Sequence, residues 1–300
     1  MNFSLKQALK VLVVFACAVG VVGTSVMITN KNTDNAKNKN DSLWNVVDGS
    51  DSDSDDSSTP TSGPNGEPLA PKNIPLDGNY IDIDGDGTVD GIIFADLLFG
   101  GNGYWDNVEN NIMYSSYSIN TISSCKEYYQ SQNYYNNGYT SGQVYTPIGK
   151  GNDRFYVMAL EDIDSNVYSW YNTASDINDY NIVTSEDFGS GRQNTLNMLE
   201  KWNNNVYREQ TQNDAWEAIQ NKVNEGWFVP SRAEWAAFGA KLRLTDSNYS
   251  RMGLSDTYWT SSMQASSQAY DIEFNRQQHY KILFHRDISE QKHVRLAKTV

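Results

Sequence analysis

The residues best suited to chemistry lie in Asp82-Ile83-Asp84-Gly85-Asp86-Gly87-Thr88-Val89-Asp90, a run that fits D-x-D-x-D-G-x-x-D. A hard cation such as calcium takes roughly six to eight oxygen ligands. Alternating aspartates on a tight loop supply such oxygens from one side, which makes Asp82, Asp84 and Asp86 metal-ligand candidates. Gly87 permits the sharp turn, Thr88 offers its backbone carbonyl, and Asp90 closes the shell. Without a cation, four carboxylates this close repel one another. The expected cofactor is therefore calcium in a structural role, which makes stability depend on its concentration. The plainer alternative is an Asp/Gly-rich turn that binds cations weakly.

Other chemistry-bearing residues are sparse. His279, His285 and His293 are separated by six and eight residues, which matches no familiar metal-ligand pattern. Glu161, Asp162 and Asp164 follow the apolar run Arg154 to Leu160. They could form an acid/base pair, but an acidic turn at a strand end is the simpler reading. No G-x-S-x-G or Walker sequence is present. An EF-hand would need Glu where Ile93 stands, and the loop's flanks, Tyr80-Ile81 and Ile92-Ile93-Phe94, read as strands. The loop is thus more similar to the calcium loops of FG-GAP and thrombospondin-type repeats than to a helix-loop-helix hand.

The elements that must position these residues can be read locally. Gly226-Trp227-Phe228-Val229-Pro230-Ser231-Arg232-Ala233-Glu234-Trp235 reads as a short strand running into a helix. Pro230 disfavours helix at Val229, Ser231 is a good N-cap, and Glu234 completes a capping box. Trp235, Phe238 and Leu242 then recur at helical spacing and give this helix one apolar face. Two more helices are predicted. One spans Asn194 to Asn203 with Leu196, Leu199 and Trp202 inward, the other Asp214 to Asn224 with Trp216, Ile219 and Val223. Strands are predicted at Gly91 to Phe94, at Arg154 to Leu160, and as short pieces after Tyr258. Tyr128 to Tyr145 lacks periodicity and reads as an ordered loop region. The mixture predicts an α+β fold with much loop.

Three matched segments in the last quarter carry a resemblance. They are the Gly226 to Trp235 run, Tyr258-Trp259-Thr260-Ser261-Ser262 and the closing Val294-Arg295-Leu296, with Ala269-Tyr270-Asp271-Ile272-Glu273-Phe274 before the last. In this order they resemble the bacterial form of the C-type-lectin-like superfamily. That form includes formylglycine-generating-enzyme-like (sulfatase-modifying-factor-like) domains and the variable proteins of diversity-generating retroelements. The resemblance covers about residues 150 to 300. It implies a C-type-lectin-like fold with short strands and few helices, here preceded by the calcium-loop hairpin. It also implies that Trp259 is core and that Arg295 pairs with an acidic residue of the scaffold. Formylglycine-generating relatives use a cysteine pair near the end of the domain, and this chain has no cysteine after Cys125. The Glu-Pro-Asn or Gln-Pro-Asp sugar-and-calcium motif is absent too, so the expected calcium lies away from the ligand patch.

Four stretches divide the chain. In residues 1–29, Lys6 and Lys10 precede an apolar run from Val11 to about Thr29, which reads as a signal peptide or a retained signal anchor. Residues 30–76 hold Asn/Lys repeats, an Asp/Ser run and a Pro/Ser/Gly-rich stretch. With few apolar side chains to offset chain entropy, they read as a disordered acidic linker. Residues 77–149 form the calcium-loop segment, and residues 150–300 the lectin-like domain. The net charge of −14 and the lack of clustered Lys and Arg argue against nucleic acid as a partner. Export of everything after residue 30 is expected, with membrane contact only through the N-terminal segment. Cys125 is the only cysteine beyond Cys17, which suits a bacterial surface rather than an animal matrix.

Under the resemblance, the ligand surface lies between the Tyr258 strand and the closing Val294-Arg295-Leu296. Its candidates are Met263, Gln264, Ser266, Gln268, Asp271, Glu273, Arg276, Gln278, Tyr280, Phe284, His285 and Arg286. Rigid aromatics give contact area and short polar groups give adaptable hydrogen bonds. The resemblance to retroelement variable proteins implies diversification of this patch through adenine mutation. Gln277, Gln278, Lys281, Gln291 and Lys292 depart from what AAC codons would yield, so a fixed homologue is an equal reading. The expected function is a non-catalytic, exported cell-surface protein that binds a glycan or protein ligand. The alternatives are an enzyme on the same scaffold and a calcium-dependent envelope scaffold.

Overall fold

The computed structural model of this chain describes residues 60–105, 115–172, 176–274 and 283–300. The expected targeting segment, and residues 30–59 of the expected linker, lie outside the described residues. The strands begin with β1 (Tyr80–Ile81), β2 (Gly91–Asp96), β3 (Gly101–Trp105), β4 (Ser115–Ile119), β5 (Glu127–Asn136), β6 (Ser141–Ile148), β7 (Phe155–Ala159) and β8 (Tyr168–Ser169). Four helices follow: the single turn α1 (Tyr180–Val183), then α2 (Gly191–Asn203), α3 (Ala215–Asn224) and α4 (Arg232–Lys241). The chain closes with β9 (Thr257–Ala265), β10 (Gln268–Glu273), β11 (Leu283–Asp287), β12 (Gln291–Lys292) and β13 (Ala297–Thr299). The fold is α+β.

The main sheet has six strands in the order β13-β7-β2-β1-β6-β5. Every residue of β2 is buried because the sheet is covered on both faces. Alternation along the strands divides the cover. Ile92, Phe94, Tyr156 and Met158 pack with Trp235 and Phe238 of α4. Ile93, Phe155 and Val157 pack on the other side with Ala70, Leu76, Tyr128 and Val300. A third cluster joins Trp170, Trp202, Trp216 and Trp259 under a small sheet ordered β11-β10-β9. Trp170 and Trp216 meet edge to face, with ring centres 4.9 Å apart.

Three local expectations change in the tertiary setting. Helix α4 is buried almost all round rather than on one face, from Ala233 to Gly239. It passes so close to Trp105 that a Cβ on Gly239 would lie 2.2 Å from the indole. In α2 the buried face is Asn194, Thr195, Met198, Leu199 and Trp202, and Leu196 turns outward. Tyr128 to Tyr145 is no loop but the β5–β6 hairpin. A register shift between Ser131 and Tyr134 breaks its alternation, and only the first part of β5 is buried; both hide the strand from a period-two reading.

The linker boundary also moves. Residues 60–76 are packed: Leu69 bridges Tyr129, Ala70 N–H donates to Tyr128 O at 2.7 Å, and Ala70 and Leu76 are buried. Nor is there a break at residue 149, since β2 pairs with β7 in the same sheet.

What holds the leading segment is Arg154, buried at the start of β7 with 1% of its surface exposed. Its Nε and Nη2 donate to Asp96 Oδ1 and Oδ2 at 2.9 and 2.7 Å. Nη1 reaches Pro71 O at 2.9 Å, and Nη2 also reaches Ile74 O at 3.3 Å. Asp96 in turn accepts the Leu76 and Leu98 amides. Removing one partner of a buried pair leaves an uncompensated charge. Arg154→Met is therefore expected to lower the unfolding free energy by about 3–5 kcal/mol in denaturant titration. A loss below about 1 kcal/mol, in the range of a surface pair, would contradict this assignment.

Candidate functional site

The hairpin β1–β2 closes on the aspartate loop, with Tyr80 opposite Ile92 and Ile81 opposite Gly91. The carboxylates first organise their own backbone. Asp82 Oδ1 and Oδ2 accept the Gly85 and Gly87 amides at 2.8 and 2.9 Å. Asp84 Oδ1 accepts from Asp86 N at 3.1 Å, and Asp86 Oδ1 from Thr88 N at 2.7 Å. This winding needs left-handed backbone at Gly85 and Gly87, with φ of +77° and +89°, which glycine adopts without steric cost. As a result, oxygens of Asp82, Asp84 and Asp86 all come within 4.8 Å of one another. Such a triad suits a hard cation. Asp90 stands outside the triad: its Oδ2 accepts Ile83 N–H at 2.6 Å, tying the two ends of the loop. Burial, together with the neighbouring aspartates, pushes the Asp82 and Asp90 carboxyls upward.

The three-stranded sheet stands on a clamped base. Ser231 caps α4, accepting from Glu234 N, while Glu234 Oε2 accepts Ser231 N–H at 2.6 Å. The same buried carboxylate accepts the amides of Gly189 and Gly191, at the start of α2, at 3.1 and 3.3 Å. Gly191 has no room for a side chain, since a Cβ would lie 2.1 Å from Glu234 Oε2. The strand β9 brings hydroxyls to the same place. Asn194 Nδ2 donates to Ser261 Oγ at 3.2 Å, and Arg232 N–H donates to Ser262 Oγ at 3.0 Å. Trp259 is fully buried. Arg295 Nε donates to Asp162 Oδ1 at 2.7 Å and its Nη2 to Gly253 O at 2.6 Å. Asp162 is thus the acidic scaffold partner, which removes it from the acid/base pair read in the sequence.

The expected ligand patch divides. Gln264, Ser266 and Gln268 are half-buried around the β9–β10 turn. Ser266 O accepts the Ile177 amide, which holds that turn. His285 is also half-buried and lies across from Tyr270, with ring centres 6.2 Å apart. Arg286 and Glu273 are spent on each other at 2.7 Å. Asp271 is not surface at all: it is 0% exposed. Its register opposite Trp259 turns it toward the core with Ala269. Met263 is buried as well. Arg276, Gln278 and Tyr280 lie outside the described residues. Three residues that the sequence reading passed over join the patch. Tyr270 donates to Glu186 Oε1 at 2.8 Å, Arg232 Nη1 donates to Glu186 Oε2 at 2.6 Å, and the Arg232 guanidinium lies 4.7 Å from the Tyr270 ring centre. Alternation in β10 could have pointed to Tyr270; nothing local points to Glu186.

No family model matches this chain, and no curated protein matches it. Among solved structures it is similar to a fimbrial protein from Bacteroides ovatus, at 14% identity and a TM-score of 0.35. That match covers 50% of this chain and 36% of the other, and at this level it carries no argument.

Burial holds two carboxyls high: Glu234 up to about 7 against its backbone donors, and Asp271 up to about 6 against Lys292 and Arg286. Unfolded carboxyls titrate near about 4, so the folded chain binds the extra protons. The stability contributed by Glu234 is full below about pH 4 and is lost as pH rises to about 7. Thermal midpoints taken across that window at fixed calcium are expected to fall, and Glu234→Gln to flatten the slope. An unchanged slope in that variant would mean Glu234 is already ionised at low pH.

Proposed function

We propose that this chain is an exported, non-catalytic ligand-binding protein of the bacterial cell surface. In this reading, a C-type-lectin-like fold presents the β10–β11 face to a glycan or protein. The observation that carries it is the cluster of Tyr270, His285, Arg232 and Glu186 over the clamped base. It joins rigid aromatic area to polar groups already held in place, so little ordering entropy remains to oppose binding. Gln264, Ser266 and Gln268 extend the face along the β9–β10 turn. The family resemblance adds support, because two of its motif residues take the roles it implies: Trp259 packs, and Arg295 meets Asp162.

Glycan and envelope-protein arrays probed with the full chain test the reading. Tyr270→Ala is expected to weaken any ligand found by about thirtyfold, as truncation of a central aromatic does. Retained affinity would place the ligand elsewhere. The resemblance to retroelement variable proteins adds a genetic test. Adenine-directed variation across codons 263–293 in a cultured population is expected if the patch is diversified.

Calcium is proposed as a structural cofactor at Asp82, Asp84 and Asp86, with the Thr88 carbonyl and Asp90 as the remaining candidates. At a free calcium of a hundred times Kd, the fold should gain about 2.7 kcal/mol. Thermal unfolding with calcium against chelator reads this directly, and Asp84→Asn should abolish the difference. A midpoint indifferent to calcium leaves a turn that merely caps its own amides.

A further inference from the structure

Asp271 and Lys292 form a pair that a ligand-binding surface does not explain. Asp271 is fully buried and Lys292 is 5% exposed. Neither Asp271 oxygen meets an aligned hydrogen-bond donor, although Lys292 Nζ lies 3.2 Å from Oδ2. Arg286 Nε is further off, at 3.9 Å. Lys292 Nζ also lies 3.4 Å from Glu290 Oε2 and 5.8 Å from the ring centre of Trp259. A buried charge pair with unused lone pairs recovers little of its desolvation cost. A primary amine held against a buried carboxyl has another course open to it.

We propose that Lys292 and Asp271 condense into an intramolecular amide cross-link between β12 and β10, with Glu290 as the proton-transfer group. The Lys292 ammonium passes a proton to the Glu290 carboxylate, Glu290 hands it on to an Asp271 oxygen, and the freed Nζ attacks Cγ of the neutral acid so formed. The Nζ–Cγ bond forms and one Cγ–Oδ bond breaks. Nζ keeps one of its three hydrogens, and the other two leave with that oxygen as water. Ammonium plus carboxylate become amide plus one water, so charge and atoms balance without oxidant, metal or co-reactant.

Three features of the site favour the step. Burial holds the Asp271 carboxyl up to about 6, which populates the neutral acid, the better electrophile. The two groups are fixed at contact distance, and well-oriented intramolecular reactions reach effective molarities of about 10⁵–10⁸ M. Trp259, opposite Asp271 in the β9–β10 register and itself fully buried, keeps water from the reverse reaction. The product replaces two buried charges with one neutral amide. It also closes the chain from Asp271 to Lys292, which restricts the unfolded state.

Digestion of the full chain under denaturing conditions, followed by tandem mass spectrometry, tests this. A branched peptide joining Asp271 to Lys292, one water lighter than its two parts, is expected. Lys292→Arg should yield no branched peptide while remaining folded. Asp271→Asn should yield the same amide, with ammonia lost in place of water. Dehydration at Asp84-Gly85 or Asp86-Gly87 gives the same mass loss, but it persists in Lys292→Arg and never branches. In a time course after cell-free synthesis, Glu290→Gln should slow cross-linking by about a hundredfold; an unchanged rate removes Glu290 from the step. Recovery of Asp271 and Lys292 only in separate, full-mass peptides from the folded wild type overturns the proposal.

Discussion

A guanidinium has five N–H donors and no acceptor, so burying one dictates what must surround it. Arg154 is almost wholly buried, and its neighbours come from distant parts of the chain. Asp96 closes β2, Pro71 and Ile74 belong to the leading segment, and the Arg154 amide reaches Val300 O at the C-terminus. The requirement to satisfy this one side chain brings the leading segment and the closing strand to the same face of the main sheet. It also explains why a Pro- and Gly-rich stretch is ordered. The segment supplies carbonyls to Arg154 and buries Ala70 and Leu76 against a sheet face that water would otherwise reach.

Glu234 plays the matching part between α4 and α2. One carboxylate caps α4 and gathers amides at the start of α2, so two helix N-termini share a single negative charge. Helix dipoles favour an anion there, and burial opposes it. The balance holds the Glu234 carboxyl up to about 7, because burial outweighs its backbone donors. The hydroxyls of Ser261 and Ser262 lock β9 to the same node. The Tyr270 face is then displayed by a sheet whose underside has little freedom left.

Acidic residues serve three distinct ends in this fold. In the 82–90 loop they wind the backbone and leave oxygens facing one another. At Asp96, Asp162 and Asp214 they satisfy buried or partly buried donors, as where Trp202 Nε1 meets Asp214 Oδ2 at 2.9 Å. Around Asp271 they sit in a dense set of charges with Arg286, Lys292, Glu273 and Glu290. The negative net charge therefore says less about partners than its distribution does.

What the sequence determined by itself is what depends on neighbours a few residues apart. The Ser231 cap, the Gly87 turn of the aspartate loop and the α3 stripe were legible, because each rests on local geometry or on strong apolar bias. The α+β class followed from the same signals. What only the tertiary structure decided is the partner of each buried polar group. Asp271 reads as a surface residue in a polar run, and its register opposite Trp259 puts it inside. Leu196 reads as core, and the face of α2 set by Met198 and Trp202 turns it out. Arg154 and Lys292 carry no local mark, because their partners lie 58 and 21 residues away in sequence. A buried charge is defined by what folding brings to it, and that contact is made only once the sheets have closed.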